Sequence, residues 1–210
     1  MVFDQPAVQR FIAQARKHSY RPRQLIARSS ETSGLFLILE GAASMILEHE
    51  TGNQAVLGYL FPGDFFGEWS LDPRRRPLGV TVRARGDAVI AAMGIGEFTQ
   101  WVGQHPDIAL VLAAQLAARL ERAQRQIADH FFFDVTERLN RALREQCQHP
   151  GADAAADGTW IRINRQELAF TIGCSREMVA RALKTLENKG TIRTEGHSVL
   201  VRAMADAVRA

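Results

Sequence analysis

The sequence predicts an α+β fold in which a strand-rich first half is joined by one long helix to a smaller domain mixing helices and short strands. Three observations carry this expectation. Short apolar runs punctuated by glycine fill residues 21–96, a stretch without glycine or proline spans residues 108–129, and two short helical segments flank Gly173-Cys174 near the C-terminus. The length of 210 residues exceeds one average domain, so two domains are expected.

Residues 7–17 read as a short leading helix. Apolar or alternating runs then follow at 35–39, 43–47, 55–60, 80–83 and 88–93. Between them stand Gly34, Gly41, Thr51-Gly52-Asn53, Phe61-Pro62-Gly63-Asp64 and Gly86-Asp87. Closely spaced strands with this turn chemistry make an antiparallel sandwich or barrel. No alternation of strand and helix occurs here, which argues against a doubly wound nucleotide-binding fold.

Glu97 begins a short helix, and Pro106-Asp107 suits the start of a long one, since proline loses no bond there and an acid complements the dipole. Leu112, Leu116, Leu120, Ala123 and Ile127 then recur at intervals of four, four, three and four. This single apolar stripe is longer than a small barrel can cover, so a second copy in a parallel coiled coil is expected to bury it. Phe131-Phe132-Phe133 reads as the apolar joint between domains, and residues 149–158 as a polar, alanine-rich loop. Residues 160–163 alternate as a strand, helices are expected over 165–172 and 175–189, and 191–193 with 199–202 form a closing hairpin around Gly196.

Composition sets broad limits. An apolar content of 46% with 23% charged residues is that of an ordinary globular protein. No apolar run reaches the roughly 20 residues that cross a bilayer, no secretory signal is visible at the N-terminus, and cytoplasmic residence without membrane attachment is expected. Cys147 and Cys174 are too few for a disulfide framework, and no metal-ligand spacing surrounds them. The charge is unevenly placed: residues 161–193 carry seven basic side chains against three acids, which favours a phosphate-rich partner. No convergent acid, base and nucleophile marks a catalytic site, so a non-enzymatic role is expected.

The helical pair at 165–189 is the informative segment. Leu168, Ala169 and Ile172 face inward from the first helix, Gly173 permits the turn, and the Ser175 hydroxyl suits the cap of the second helix. Val179, Leu183 and Leu186 turn inward on that second helix, leaving Arg176, Glu177 and Arg181 outward with Lys184 beyond. Arginine donates two bonds to guanine O6 and N7, and glutamate accepts from cytosine N4, so this face suits double-stranded DNA read in the major groove. Asn164, Arg165 and Gln166 at the start of the preceding helix suit phosphate. The competing expectation is a sensing or catalytic module whose C-terminal domain binds protein rather than DNA.

Ile163-Asn164-Arg165-Gln166-Glu167-Leu168, Gly173-Cys174-Ser175-Arg176-Glu177-Met178-Val179 and Arg181 resemble the DNA-binding signature of the cAMP receptor protein/FNR family of bacterial transcription regulators. Phe133-Asp134-Val135-Thr136-Glu137-Arg138 resembles that family's hinge, and Phe61-Pro62-Gly63-Asp64-Phe65-Phe66-Gly67-Glu68 its phosphate-binding turn. The resemblance covers residues 20–202 and is gap-free over 63–190. It implies a cyclic-nucleotide-binding β-barrel of jelly-roll type at 1–105, a dimerisation helix and hinge at 106–133, and a winged helix-turn-helix at 134–210. It further implies a homodimer on a TGTGA-type palindrome, read by Arg176, Glu177 and Arg181, with Asn164, Arg165, Gln166, Ser175 and Lys184 on the backbone. RNA polymerase is the implied partner, touched in relatives by the loop at 152–159.

The implied effector pocket holds Gly67, Glu68, Leu78, Gly79, Ala123 and Gln124. It departs from the family's cAMP binders at decisive points. Leu78 and Gly79 stand where those proteins carry a phosphate-binding arginine and a serine, and Ala123-Gln124 where they carry the Thr-Ser that contacts adenine. A buried phosphate without its cation is costly, so cAMP is disfavoured. Arg74-Arg75-Arg76 precedes the missing arginine and suits a larger anion such as cyclic di-GMP, or else a solvated basic loop. A ligand-independent regulator is the remaining expectation.

Overall fold

The computed structural model describes residues 2–48, 54–72, 74, 79–148, 152–162, 165–196 and 198–202. The chain divides into two compact units, 1–123 and 124–210. A 25-residue helix, α3 (Ile108–Phe132), runs from the first into the second and is about 38 Å long.

In the first unit the chain begins with α1 (Pro6–Gln14), whose proline sits in the first turn. It continues through β1 (Arg16–Tyr20), β2 (Leu25–Arg28), β3 (Gly34–Glu40), β4 (Ala43–Glu48), β5 (Gln54–Leu60), β6 (Phe65–Phe66), β7 (Val80–Ala84) and β8 (Ala88–Gly94) to α2 (Ile95–Gln104). These strands make two antiparallel sheets, ordered β1-β8-β3-β6 and β2-β7-β4-β5. The expected leading helix at 7–17 stops at Gln14, because Arg16 to Tyr20 pair through their backbone with Ala92 to Ala88 of β8.

β3 shows why the apolar runs are continuous. Its successive side chains enter two different cores. Phe36 and Ile38 face the barrel interior with Leu60, Phe66, Val82 and Ile90. Leu35 and Leu37 face outward under the helices, with Val8, Phe11, Phe65, Phe98 and Ile108. Phe11 meets Phe65 edge-on at 5.1 Å between centroids, which locks α1 to the sheet. Each of these buried apolar side chains stabilises the fold by about 1.5–3 kcal/mol relative to exposure.

The second unit holds the end of α3, then α4 (Val135–Gln146), β9 (Asp153–Ala155), β10 (Gly158–Arg162), α5 (Arg165–Ile172), α6 (Arg176–Asn188), β11 (Ile192–Glu195) and β12 (Ser198–Arg202). Asp134 and Glu137 form a reciprocal cap at the start of α4, so the helix restarts immediately after α3 ends. Leu139, Leu143, Leu168, Val179, Leu183 and Leu186 form the core of this unit. The sheet order β11-β12-β10-β9 includes a strand inside the alanine-rich segment expected to be a loop. β9 pairs with Gly158 to Trp160 of β10 and is exposed throughout, so backbone bonding rather than apolar pattern makes it a strand.

The three phenylalanines expected as a joint between domains differ in their surroundings within the second unit. Phe131 and Phe132 are about four-fifths exposed in the single chain. Phe133 alone is engaged, under the Arg141 guanidinium at 4.7 Å from its ring centre.

Candidate nucleic-acid interface and sensor turn

α6 begins where the sequence places it. The Ser175 hydroxyl oxygen accepts the Met178 amide at 3.3 Å, which caps the helix. Gly173, two residues earlier, has φ +64°, a left-handed conformation that closes the turn after α5. Val179, Ala182, Leu183 and Leu186 are buried against α4 and α5. At 100° per residue, Glu177, Arg181 and Lys184 lie within roughly 60° of one another on the opposite side, with Ala180 and Arg176 on one flank.

All four of these charged side chains are exposed. The Ser175 hydroxyl, the backbone amide of Glu177 itself and the charges of Arg176 and Arg181 hold the Glu177 carboxyl below the ordinary glutamate range. It is therefore an acceptor at neutral pH, flanked by two donors. That combination can accept from a cytosine amine and donate to guanine acceptors on one approach.

Arg165, at the start of α5, is exposed, and Gln166 is half-buried with its Oε1 unpaired. Asn164 lies outside the described residues. The Ser175 hydroxyl, expected on the DNA backbone, is on an exposed residue and serves as cap and as partner of Glu177. A groove of about 690 Å³ separates α6 from the β11–β12 hairpin and is lined by Arg165, Lys184, Glu187, Thr194 and Gly196, among others. Glu187 ties helix to hairpin: its carboxylate accepts from the Thr194 amide at 2.9 Å and the Thr194 hydroxyl at 2.8 Å. Those two bonds hold Glu187 below the ordinary glutamate range.

In the first unit, the segment Gly63 to Glu68 folds under α3. Gly67 has φ +99°, and a β-carbon there would stand 2.2 Å from the Gly34 carbonyl oxygen, so only glycine fits. Glu68 is half-buried and pairs with Arg119 of α3 at 3.4 Å. Arg119 also donates to the Phe65 carbonyl. Gln115, one turn earlier, accepts from the Phe65 amide and donates to the Gly63 carbonyl, both at 2.8 Å. The space enclosed between this turn and α3 is about 10 Å³, room for one water.

Sequence reasoning missed Gln115 and Arg119. The signal was their four-residue spacing on α3 beside the apolar stripe, which puts two polar side chains over one turn of sheet. Of the other effector-pocket residues, Gly79, Ala123 and Gln124 are exposed, and Leu78 lies outside the described residues. Arg74, first of the arginine run, is exposed and paired with Asp72 at 3.2 Å. Among the described residues no group of His, Cys, Asp or Glu side chains is placed to hold a metal, and no helix is long and apolar enough to cross a membrane.

Comparison with known proteins agrees with both halves of this description. Residues 17–105 match the cyclic nucleotide-binding domain family, and residues 137–206 match the Crp-like helix-turn-helix domain family. The chain is 34% identical to the cAMP-activated global transcriptional regulator Vfr of Pseudomonas aeruginosa, over 91% of this chain and 92% of that protein. It is 33% identical to the cAMP-activated global transcriptional regulator CRP of Pasteurella multocida, over 93% and 94%. Among solved structures, the c-di-GMP responsive global regulator CLP of Xanthomonas campestris superimposes with a TM-score of 0.85 at 30% identity, covering 94% of this chain and 99% of that one. With a cyclic nucleotide-binding fold, a long helix and a helix-turn-helix in that order along nearly the whole length of these relatives, the chain belongs to the CRP/FNR family of DNA-binding transcription regulators.

Proposed function

We propose that this regulator binds a TGTGA-type palindrome as a homodimer, with Arg176, Glu177 and Arg181 reading bases in each half-site. The single observation that supports this most is the exposed face of α6, on which an ionised glutamate lies between two arginines. Arg165, Gln166 and Lys184, with Asn164, take the DNA backbone, and Ser175 serves by fixing the start of the reading helix. The exposed stripe of α3 supports the homodimer: Leu116, Leu120 and Ile127 are 37%, 60% and 59% exposed in the single chain, an apolar seam suited to a parallel partner helix. Two reading helices then stand about 34 Å apart, matching half-sites one DNA turn apart.

The functional division is a sensor at 1–105, a dimer helix and hinge at 106–133 and a DNA-binding domain at 134–210, in a cytoplasmic protein that works with RNA polymerase and catalyses no reaction. The effector is a cyclic nucleotide taken at the Glu68 turn, and cyclic di-GMP is favoured over cAMP. The loss of the arginine at Leu78 supports this, as does the likeness to a regulator responsive to c-di-GMP. Such a ligand meets Arg119 only by opening the water-sized space at this turn and replacing the bonds of Arg119 to Glu68 and the Phe65 carbonyl.

An electrophoretic shift on TGTGA-N6-TCACA DNA, repeated with Arg176→Ala, tests the reading assignment. Tight binding by the parent and its loss in the variant is the expected result, and identical behaviour overturns the assignment. Calorimetric titration tests the effector: binding of cyclic di-GMP without cAMP is expected, and micromolar binding of cAMP alone overturns the choice.

A further inference from the structure

The last turn of α3 is built into the DNA-binding unit. Asp129 accepts from Arg141 Nε of α4 at 3.0 Å, and the same guanidinium lies over the Phe133 ring. The Asp129 side chain is only 19% exposed, so this pair is partly withdrawn from water. One residue further on, His130 reaches the turn between α5 and α6. A β-carbon on Gly173 would stand 3.0 Å from His130 Cε1 and 3.4 Å from Nε2.

Gly173 is therefore bare for two separate reasons. Its left-handed backbone favours glycine, a demand that asparagine also meets at modest cost. The imidazole edge is the second demand: any β-carbon, that of asparagine included, must push the exposed His130 ring aside by a few tenths of an ångström. From these contacts we infer that His130 and Asp129 are positioning residues for DNA reading: they seat the helix-turn-helix on the end of the long helix and so set the direction of α6. Arg176 follows Gly173 by three residues, so a displacement of the turn passes to the first base-reading side chain with no flexible segment between. The Arg141 guanidinium, held by both Asp129 and the Phe133 ring, and His130 beside Gly173 are two separated places where the end of α3 meets this unit. One such place would leave the unit free to swivel; a second, some distance from the first, restricts that swivel.

This inference rests on the DNA-reading assignment, and its test separates the two. Full-length protein is titrated with palindromes whose half-sites are separated by six base pairs, or by one base pair fewer or more. Asp129→Ala and His130→Ala are expected to reduce the preference for the six-base-pair probe by about threefold or more, with the fold retained in thermal melts. A merely structural role lowers affinity for all three probes equally and leaves the preference intact. Gly173→Asn is expected to weaken binding about tenfold, and His130→Ala in that background to recover most of it. Unchanged spacing preference in both alanine variants, or no recovery in the double variant, overturns the inference. Arg176→Ala runs alongside: if it binds like the parent, the reading assignment falls and this inference with it, whereas its loss of binding with neutral joint variants sinks the joint alone.

Discussion

On α6 the side chains of Arg176, Glu177 and Arg181 end in solvent, whereas on the barrel turn Glu68 ends on Arg119 and the turn's backbone on Gln115. The first region keeps most of its hydrogen-bonding groups available to a partner molecule, Glu177 engaging only the start of its own helix. The second has satisfied most of its own. A surface of the first kind binds with little rearrangement, since its helix is capped and its charges are already placed. A site of the second kind binds only when the incoming ligand replaces bonds the protein already makes, so its affinity is a difference between two sets of contacts.

This contrast can be broken at either end. The largest effect is expected from Arg176→Ala combined with Arg181→Ala: each bidentate arginine–guanine pair discriminates by about 1–3 kcal/mol, so specific binding should approach the non-specific level. The melting temperature should not move, because both side chains are exposed; a quantitative footprint with parallel thermal melts checks both. Gly67→Ala acts at the other end. It is expected to lower the stability of the first unit by about 1–3 kcal/mol, read by denaturant unfolding, because a strained φ and the Gly34 carbonyl both oppose the methyl.

Arg119→Ala sharpens the comparison instead of breaking it. Removing this cation frees Glu68 and the Phe65 carbonyl, and is expected to destabilise the turn by about 1 kcal/mol, as for the loss of a partly exposed charged hydrogen bond. If Arg119 meets the effector, ligand affinity falls together with stability, which calorimetry on the variant reads directly. The smallest effect concerns Glu187. Its pKa is lowered by Thr194, so its tie to the hairpin is fully present above the unfolded glutamate value and is lost as pH falls through the lowered one. The Thr194 amide resonance should stay constant through neutral and mildly acid pH and shift only below the ordinary glutamate range.

The capped, exposed face of α6 was legible because it is local. Ser175 caps its own helix, the apolar residues of α6 repeat at helical spacing, and a partial charge survey finds the rest. The sensor turn was less legible. Gly67 and Glu68 stood out in the sequence, but Gln115 and Arg119 are some fifty residues away and look like ordinary polar helix residues until α3 lies across the sheet. β1 and β9 were missed for a related reason. Arg16-Lys17-His18-Ser19-Tyr20 and Asp153-Ala154-Ala155 carry no alternation, and only their backbone partners make them strands. The apolar stripe of α3 was visible from its spacing alone, while Phe131 and Phe132 show that three adjacent aromatics need not share one environment.

β1 closes one border of its sheet with Arg16, Lys17 and His18, all exposed. A border strand offers unpaired amides and carbonyls on which a stray chain can assemble. Two fixed positive charges among those groups repel an identical strand arriving in the same register. Charge of this kind opposes fibrous stacking along the open margin at high concentration, a constraint on copy-to-copy contact that the apolar ridge of the long helix does not carry.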